Sequence, residues 1–438
     1  MKKLILILVC IGLLSLPISA MAATSAEKQA AIDAGLAYLA STQNAASGYW
    51  NTSGYPMADT AAALLAFVEQ SYKPLGWNGP DYSTVVTKAT NYLLQTASTL
   101  PFATSGNWWG FGAVPVGQPA DYGIRWSAGG EDTYITGLAI PALSRLVTNP
   151  YGGSPLVNPG TVISTGNALT NGKTYAEVIQ RAVDSFTYYQ VGPAYGNRYG
   201  GWRYYAGQND SDMSTTQWAP IGYLFAGQVP GVTVADGNTK TALRAWLTAV
   251  QQAGGGVDYQ PGAGIINATH AGGFLISNFW AGGGGIGGNG AAQALAWLNA
   301  NWLPGPSGIW YGNEGHPYAM WAVYKALETL YGTSGVGPIS NLHPQGSNVI
   351  DPGATWNWWE DYCQFIVDAQ GDPGAPAPGA WPGYSYWGGA LEAAWYINIL
   401  NATRTGDGGG EVPEPATMIL LGSGLVGLAG YARKRMKK

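Results

Sequence analysis

The chain has 438 residues, 46% apolar and 10% charged, with 65 glycines, 19 tryptophans and 27 tyrosines. That is enough apolar material for a large core, and it argues against disorder. The net charge of −5 includes a basic C-terminus; without the signal peptide (Lys2, Lys3) and the tail (five cations and Glu414), 13 basic residues face 24 acidic ones, which excludes nucleic acid and anionic lipid as natural partners of the body.

Lys2 and Lys3 precede an apolar run over residues 4–16, and Ala20-Met21-Ala22 offers a small-x-small cleavage site. This predicts a secretory signal peptide over 1–22. Cys10 lies inside that run, so the mature chain keeps Cys363 alone and an intramolecular disulfide is excluded.

Helical hairpins follow. Residues 26–39 carry a helix-like apolar period that Ser25 could cap, and Gln43 leads into a turn at Gly48-Tyr49-Trp50. Asp59 and Thr60 then open an apolar second helix over 61–67. The second unit runs over 82–95 to a turn at Trp108, passes through a long insertion, and resumes at Glu131-Asp132-Thr133 with a helix over 134–146. The third has a helix over 175–190, the turn Tyr199-Gly200-Gly201-Trp202, the cluster Asp210-Ser211-Asp212-Met213-Ser214-Thr215-Thr216, and an apolar run over 218–225. The fourth pairs 242–252 with 274–280 across Val257-Asp258-Tyr259. The fifth pairs 291–302 with 318–330 across Trp310 and Glu314-Gly315-His316, and the sixth pairs 356–370 with 391–400 across Trp381. Six hairpins predict twelve helices. Each hairpin alone leaves an apolar face bare, so neighbours must stack. One helix of each pair is richer in Ala and Gly, which suits two concentric rings.

Gln43 with Gly48-Tyr49-Trp50, and Gly201-Trp202 with Asp212-Met213-Ser214-Thr215, resemble the QW-type repeats of squalene-hopene cyclases and protein prenyltransferase β subunits. The resemblance covers roughly residues 26–402. It implies an all-α fold, an α/α toroid with a central cavity near whose rim the inner helices begin.

Asp210-Ser211-Asp212-Met213-Ser214-Thr215 resembles the acidic motif with which squalene-hopene cyclases protonate a polyene, with Asp212 at the acid and Asp210 beside it. Met213 stands where a third acid is expected. Two readings of Asp212 stay open: a general acid, or the cap of the helix that follows. Asp59, Glu131, Asp132, Glu314 and His316 hold equivalent places in other hairpins, where an acidic rim and simple helix caps are again the alternatives. Trp202 and Tyr204 are candidate ligand-stacking aromatics. Asp361-Tyr362-Cys363 has the spacing of a prenyltransferase zinc ligand pair, but no histidine follows it, so no metal and no other cofactor is expected.

At the C-terminus a glycine-rich linker over 403–411 leads to Val412-Pro413-Glu414-Pro415, an apolar stretch over 416–432 and a basic end. The order of motif, span and cations resembles the PEP-CTERM sorting signal of Gram-negative bacteria that possess an exosortase. It implies export, a transient membrane helix over the apolar stretch 416–432, and exosortase and the secretion machinery as partners. The expected arrangement is signal peptide 1–22, toroid 23–402, linker 403–411 and sorting signal 412–438. The leading expectation for the body is a surface or matrix protein whose cavity binds a glycan or lipid-like ligand; the alternative is a cyclase-like enzyme.

Overall fold

The computed structural model describes residues 22–73, 75–102, 122–235, 237–302, 312–334, 337–342 and 356–405. The signal peptide, the turn at Trp108, Trp310 and the sorting tail, with Pro413, Glu414 and Pro415, lie outside the described residues. So does the expected membrane helix; among the described residues no helix is long and apolar enough to cross a bilayer.

The described residues are mostly helical, as the sequence predicts. In chain order the helices are α1 Ser25–Thr42, α2 Pro56–Ser71, α3 Ser83–Thr96, α4 Asp132–Leu146, α5 Tyr175–Tyr189, α6 Met213–Thr216, α7 Trp218–Ala226, α8 Asn238–Val250, α9 Ala268–Ala281, α10 Gly290–Ala300, α11 Pro317–Tyr331, α12 Trp358–Ala369 and α13 Ala390–Leu400. Two short strands, β1 Ser98–Pro101 and β2 Tyr122–Arg125, pair antiparallel with Ser98 opposite Arg125. This ribbon was not legible in the helical pattern.

Local signals start the helices much as expected. Thr24, rather than Ser25, caps α1: its hydroxyl accepts the Glu27 N–H at 3.2 Å while Glu27 accepts the Thr24 N–H at 2.8 Å. Thr174 and Glu177 repeat the same box at α5. Burial then sorts the helices into two kinds. α3 buries one stripe, Val86, Ala89, Thr90, Leu93 and Leu94, at the spacing of a helix packed on one side. α2 is buried from Met57 to Gln70, and α11 from Pro317 to Thr329, so these are covered all round.

The fully covered helices pack in sequence: α2 on α4, α4 on α7, α7 and α6 on α9, α9 on α11, α11 on α13, and α13 back on α2. One-sided helices pack against them: α3 on α2, α5 on α4 and α7, α8 and α10 on α9, and α12 and α1 on α13.

Among the described residues, a tryptophan indole closes four of the hairpins by the same bond. The indole of Trp50 donates to Leu39 O at 2.7 Å, that of Trp202 to Phe186 O at 2.8 Å, and that of Trp381 to Ile366 O at 2.8 Å. In the second hairpin this place belongs to Trp126, which donates to Leu93 O at 2.8 Å, and not to the expected Trp108. The glutamines look outward to the next hairpin. Gln43 donates to Gly48 O and to Val85 O of α3, and Gln190 to Gly200 O and Thr239 O of α8. Gln370, in the last hairpin, donates to Gly379 O and to Ala31 O of α1, each at 2.9 Å. Gly379 sits at φ +81°, where a Cβ would lie 2.3 Å from Ala34 O of α1. Only glycine permits both that φ and that approach.

Candidate functional site

A cavity of about 470 Å³ opens where the fully covered helices begin. α2 contributes Ala58, α4 Tyr134, Ile135 and Leu138, and the third hairpin Tyr204, Ser214 and Trp218. Tyr259, Ile265, Asn267, Thr269 and His270 come from the fourth hairpin, and His316 and Tyr318 from the start of α11. Tyr386, Trp387, Leu391 and Trp395 complete the wall, with Tyr55 and Glu131 at its edge. The wall is aromatic, and no Lys or Arg is part of it.

The aromatic rings are fixed by each other and by hydrogen bonds. Trp218 and Tyr318 stack at 5.9 Å with planes 2° apart, and Trp395 continues the stack 5.8 Å from Tyr318. Tyr318 Oη donates to Ser214 O at 2.5 Å and accepts from Gln217 Nε2 at 2.9 Å and Trp218 Nε1 at 3.1 Å. Burial pushes the Tyr318 and Tyr134 phenols well above their ordinary value, so both stay neutral donors. His316 caps α11, its Nδ1 accepting the Ala319 N–H at 3.2 Å, which puts the ring proton on Nε2. Its ring lies 5.3 Å from Trp387 and 4.8 Å from Tyr384. His270, pushed down to about 4 by burial, is neutral at neutral pH, with Nδ1 3.0 Å from Ile265 O. At the mouth Tyr386 is 56% exposed and held at φ +72°, a strained conformation for an aromatic residue.

Asp212 is fully buried behind this wall and does not line it. It caps α6: Oδ1 accepts from Thr215 N at 2.8 Å and Ser214 Oγ at 2.6 Å, and Oδ2 pairs with Arg203. Ser214 Oγ in turn lies 2.7 Å from Tyr134 Oη. Since Ser214 gives its proton to Asp212, Tyr134 donates to Ser214, and the carboxylate is wired to the cavity through two hydroxyls. Burial raises the Asp212 carboxyl, while Arg203, Ser214 and Thr215 pull it down. All three of those partners are donors, an arrangement that suits an ionised acceptor. Arg203 also lies over the Tyr204 ring at 4.4 Å and donates to Tyr259 Oη at 2.6 Å. Burial opposes its charge, but Asp212 and Tyr259 hold it protonated. Asp210 is 40% exposed at its side chain, near Arg198 at 3.3 Å and Arg203 at 3.7 Å, and accepts from Gln260 Nε2 at 2.8 Å.

Of the residues expected at the rim, Glu131, Tyr204 and His316 line the cavity and the others do not. Trp202 is buried in its hairpin turn. Asp59 accepts the Thr52 N–H at 2.7 Å and the Ser53 N–H at 3.0 Å, organising its own turn. Asp132 pairs with Arg125. Glu314 is buried, its carboxyl pushed well up by burial and then by the adjacent Asp361 carboxyl, which accepts from Trp302 Nε1 at 2.8 Å. Asp59 and Asp212 therefore hold turns, and much of the wall comes from residues two to six places after these helix starts. Tyr134 follows Asp132, Tyr318 follows His316, and Ser214 and Trp218 follow Asp212, a positional signal the sequence did contain.

Residues 411–435 match the family model of the PEP-CTERM protein-sorting motif. No curated protein matches the chain. The motif, at the very end of the chain, marks this as an exported protein that is transiently anchored by its C-terminus and processed by an exosortase.

Proposed function

We propose that the body is an α/α toroid, and that its aromatic cavity holds an uncharged glycan end without catalysing a reaction, as part of a surface or matrix protein. The ring reading draws on the circuit of packing that returns from α13 to α2, and on Gln370 and Gly379, which join the last hairpin to α1. For the ligand, the observation that carries the reading is the wall itself. Flat aromatic faces are joined by the neutral polar groups Ser214, Asn267, Thr269, His270 and His316 and by one acid, Glu131, and no Lys or Arg lines the wall to meet a phosphate or uronate. Sugar rings offer an apolar face and a polar edge to such a wall.

A second reading, a lipid-like or polyprenyl ligand, is favoured by the apolar patch of Ile135, Leu138, Ile265 and Leu391. A cyclase using Asp212 as acid, supported by Asp210, is the enzymatic form of that reading. Against it stands the Asp212 carboxylate, which accepts from three donors and faces helix α6 rather than the cavity.

Purified mature protein is incubated with squalene and, separately, with exopolysaccharide from the host, as wild type and Asp212→Asn. The proposal expects polysaccharide binding in both forms and squalene recovered unchanged. A cyclised product lost in Asp212→Asn would replace it with the enzyme reading.

A further inference from the structure

The far ends of the fully covered helices hold a second buried constellation that the cavity does not use. Glu69 ends α2, Arg145 ends α4, and Lys325 and Glu328 stand in the last turns of α11. Arg145 Nε and Glu69 Oε1 are 2.6 Å apart with both side chains fully buried, and Lys325 Nζ is 3.7 Å from Glu328 Oε2. Charges buried this deeply are costly unless their remaining hydrogen bonds are used. Residues 403–405 use them. Arg145 donates to Arg404 O, Lys325 to Thr403 O at 2.7 Å and Thr405 Oγ1 at 3.1 Å, and Gln228 to Thr405 O at 2.6 Å. Glu328 Oε2 accepts the Thr405 N–H at 3.0 Å and its hydroxyl at 2.8 Å. Thr403 and Thr405, expected in the linker, are fully buried.

We propose that this pole is a docking site for the chain's own exit segment, and that it turns the cavity away from the membrane while the tail still anchors the protein. The proposal rests on the ring reading and on the sorting tail. Helices α2, α4 and α11 begin at the cavity and end at this pole, and their 15–16 residues separate the two by about 22–24 Å. The chain leaves the pole at Thr405, and only ten residues, 406–415, precede the apolar stretch. Fully extended they reach at most about 35 Å. A compact body of residues 26–405 has a radius of gyration of about 21 Å, hence a diameter of about 50 Å. A tether leaving the centre of one pole cannot round such a body, so the opposite rim cannot lie on the bilayer.

The test uses the signal-cleaved protein with its C-terminal tail intact, in phosphatidylcholine–phosphatidylglycerol vesicles that carry a headgroup-linked quencher. Once the signal is removed the single thiol is Cys363, which is buried, so a thiol-reactive dye reports introduced cysteines. Tyr331→Cys places the dye at the end of α11, and Tyr205→Cys places it beside the rim; both positions are exposed. The expected result is loss of most emission at 331 and little loss at 205, with the difference abolished by a long Gly/Ser insertion after Gly406. Equal quenching without the insertion, or stronger quenching at 205, would overturn the orientation. A difference that survives the insertion would overturn the docked tether as its cause. Failure of the ring itself is read separately, from the unfolding of Gly379→Ala against Gly371→Ala.

Discussion

Gly379→Ala tests whether the last hairpin closes on the first helix. At Gly379 a Cβ would meet Ala34 O at 2.3 Å and Ala34 C at 2.7 Å, both backbone atoms that cannot rotate aside. α1 must therefore retreat by several tenths of an ångström or the turn must deform. Gly371 is the control: it lies in the same connection, at φ +78° against +81°, with nothing within 4 Å of its added Cβ. Alanine in the left-handed region costs about 1–2 kcal/mol at either site. Overpacking adds about 1–3 kcal/mol at Gly379 alone. The account thus expects about 2–5 kcal/mol of destabilisation for Gly379→Ala and about 1–2 kcal/mol for Gly371→Ala. Urea unfolding followed by far-UV circular dichroism measures both. Equal losses would refute the argument, because α1 would then not press on the last turn.

Burial raises the Glu392 carboxyl from 4.5 to about 8. A raised carboxyl favours the protonated fold, so its share of stability is complete below pH 4.5 and is lost as pH rises through 8. The span is worth about 5 kcal/mol at about 1.4 kcal/mol per pH unit, and Glu392→Gln should flatten the fall in urea midpoint between pH 5 and 8. Arg145→Met leaves Glu69 buried without its partner and should cost about 3–5 kcal/mol in the same assay, most of it recovered when Glu69→Leu is added. In a host with an exosortase, intact mass spectrometry of the exported protein should show the tail lost near 413–415, and in a host without one the full C-terminus retained.

The helices were legible because their punctuation is chemical. Tryptophan recurs before most of the fully covered helices and closes its own hairpin, while Gln43, Gln190 and Gln370 form bonds that join one hairpin to the next. Trp126 was missed because the β1–β2 ribbon separates it from its helix by more than twenty residues, so Trp108 held the expected spacing. Trp202 looked like a ligand platform because an indole's burial is invisible in sequence; its Nε1–H goes to Phe186 O. Asp212 was readable as either acid or cap, and the choice depends on Arg203, nine residues away in a loop of no regular period. The docked 403–405 segment was read as linker because the charges that hold it come from helices far back in the chain.

Hydrogen–deuterium exchange of the mature protein, with and without host exopolysaccharide fragments, is the most direct test of the central claim that the rim cavity is the binding site. The account predicts slower exchange confined to the helix starts around residues 132–138, 213–218, 267–270, 317–320 and 390–395, with α3, α8 and residues 403–405 unchanged. Protection on the outward faces of α3 or α8, or none at saturating ligand, would contradict it.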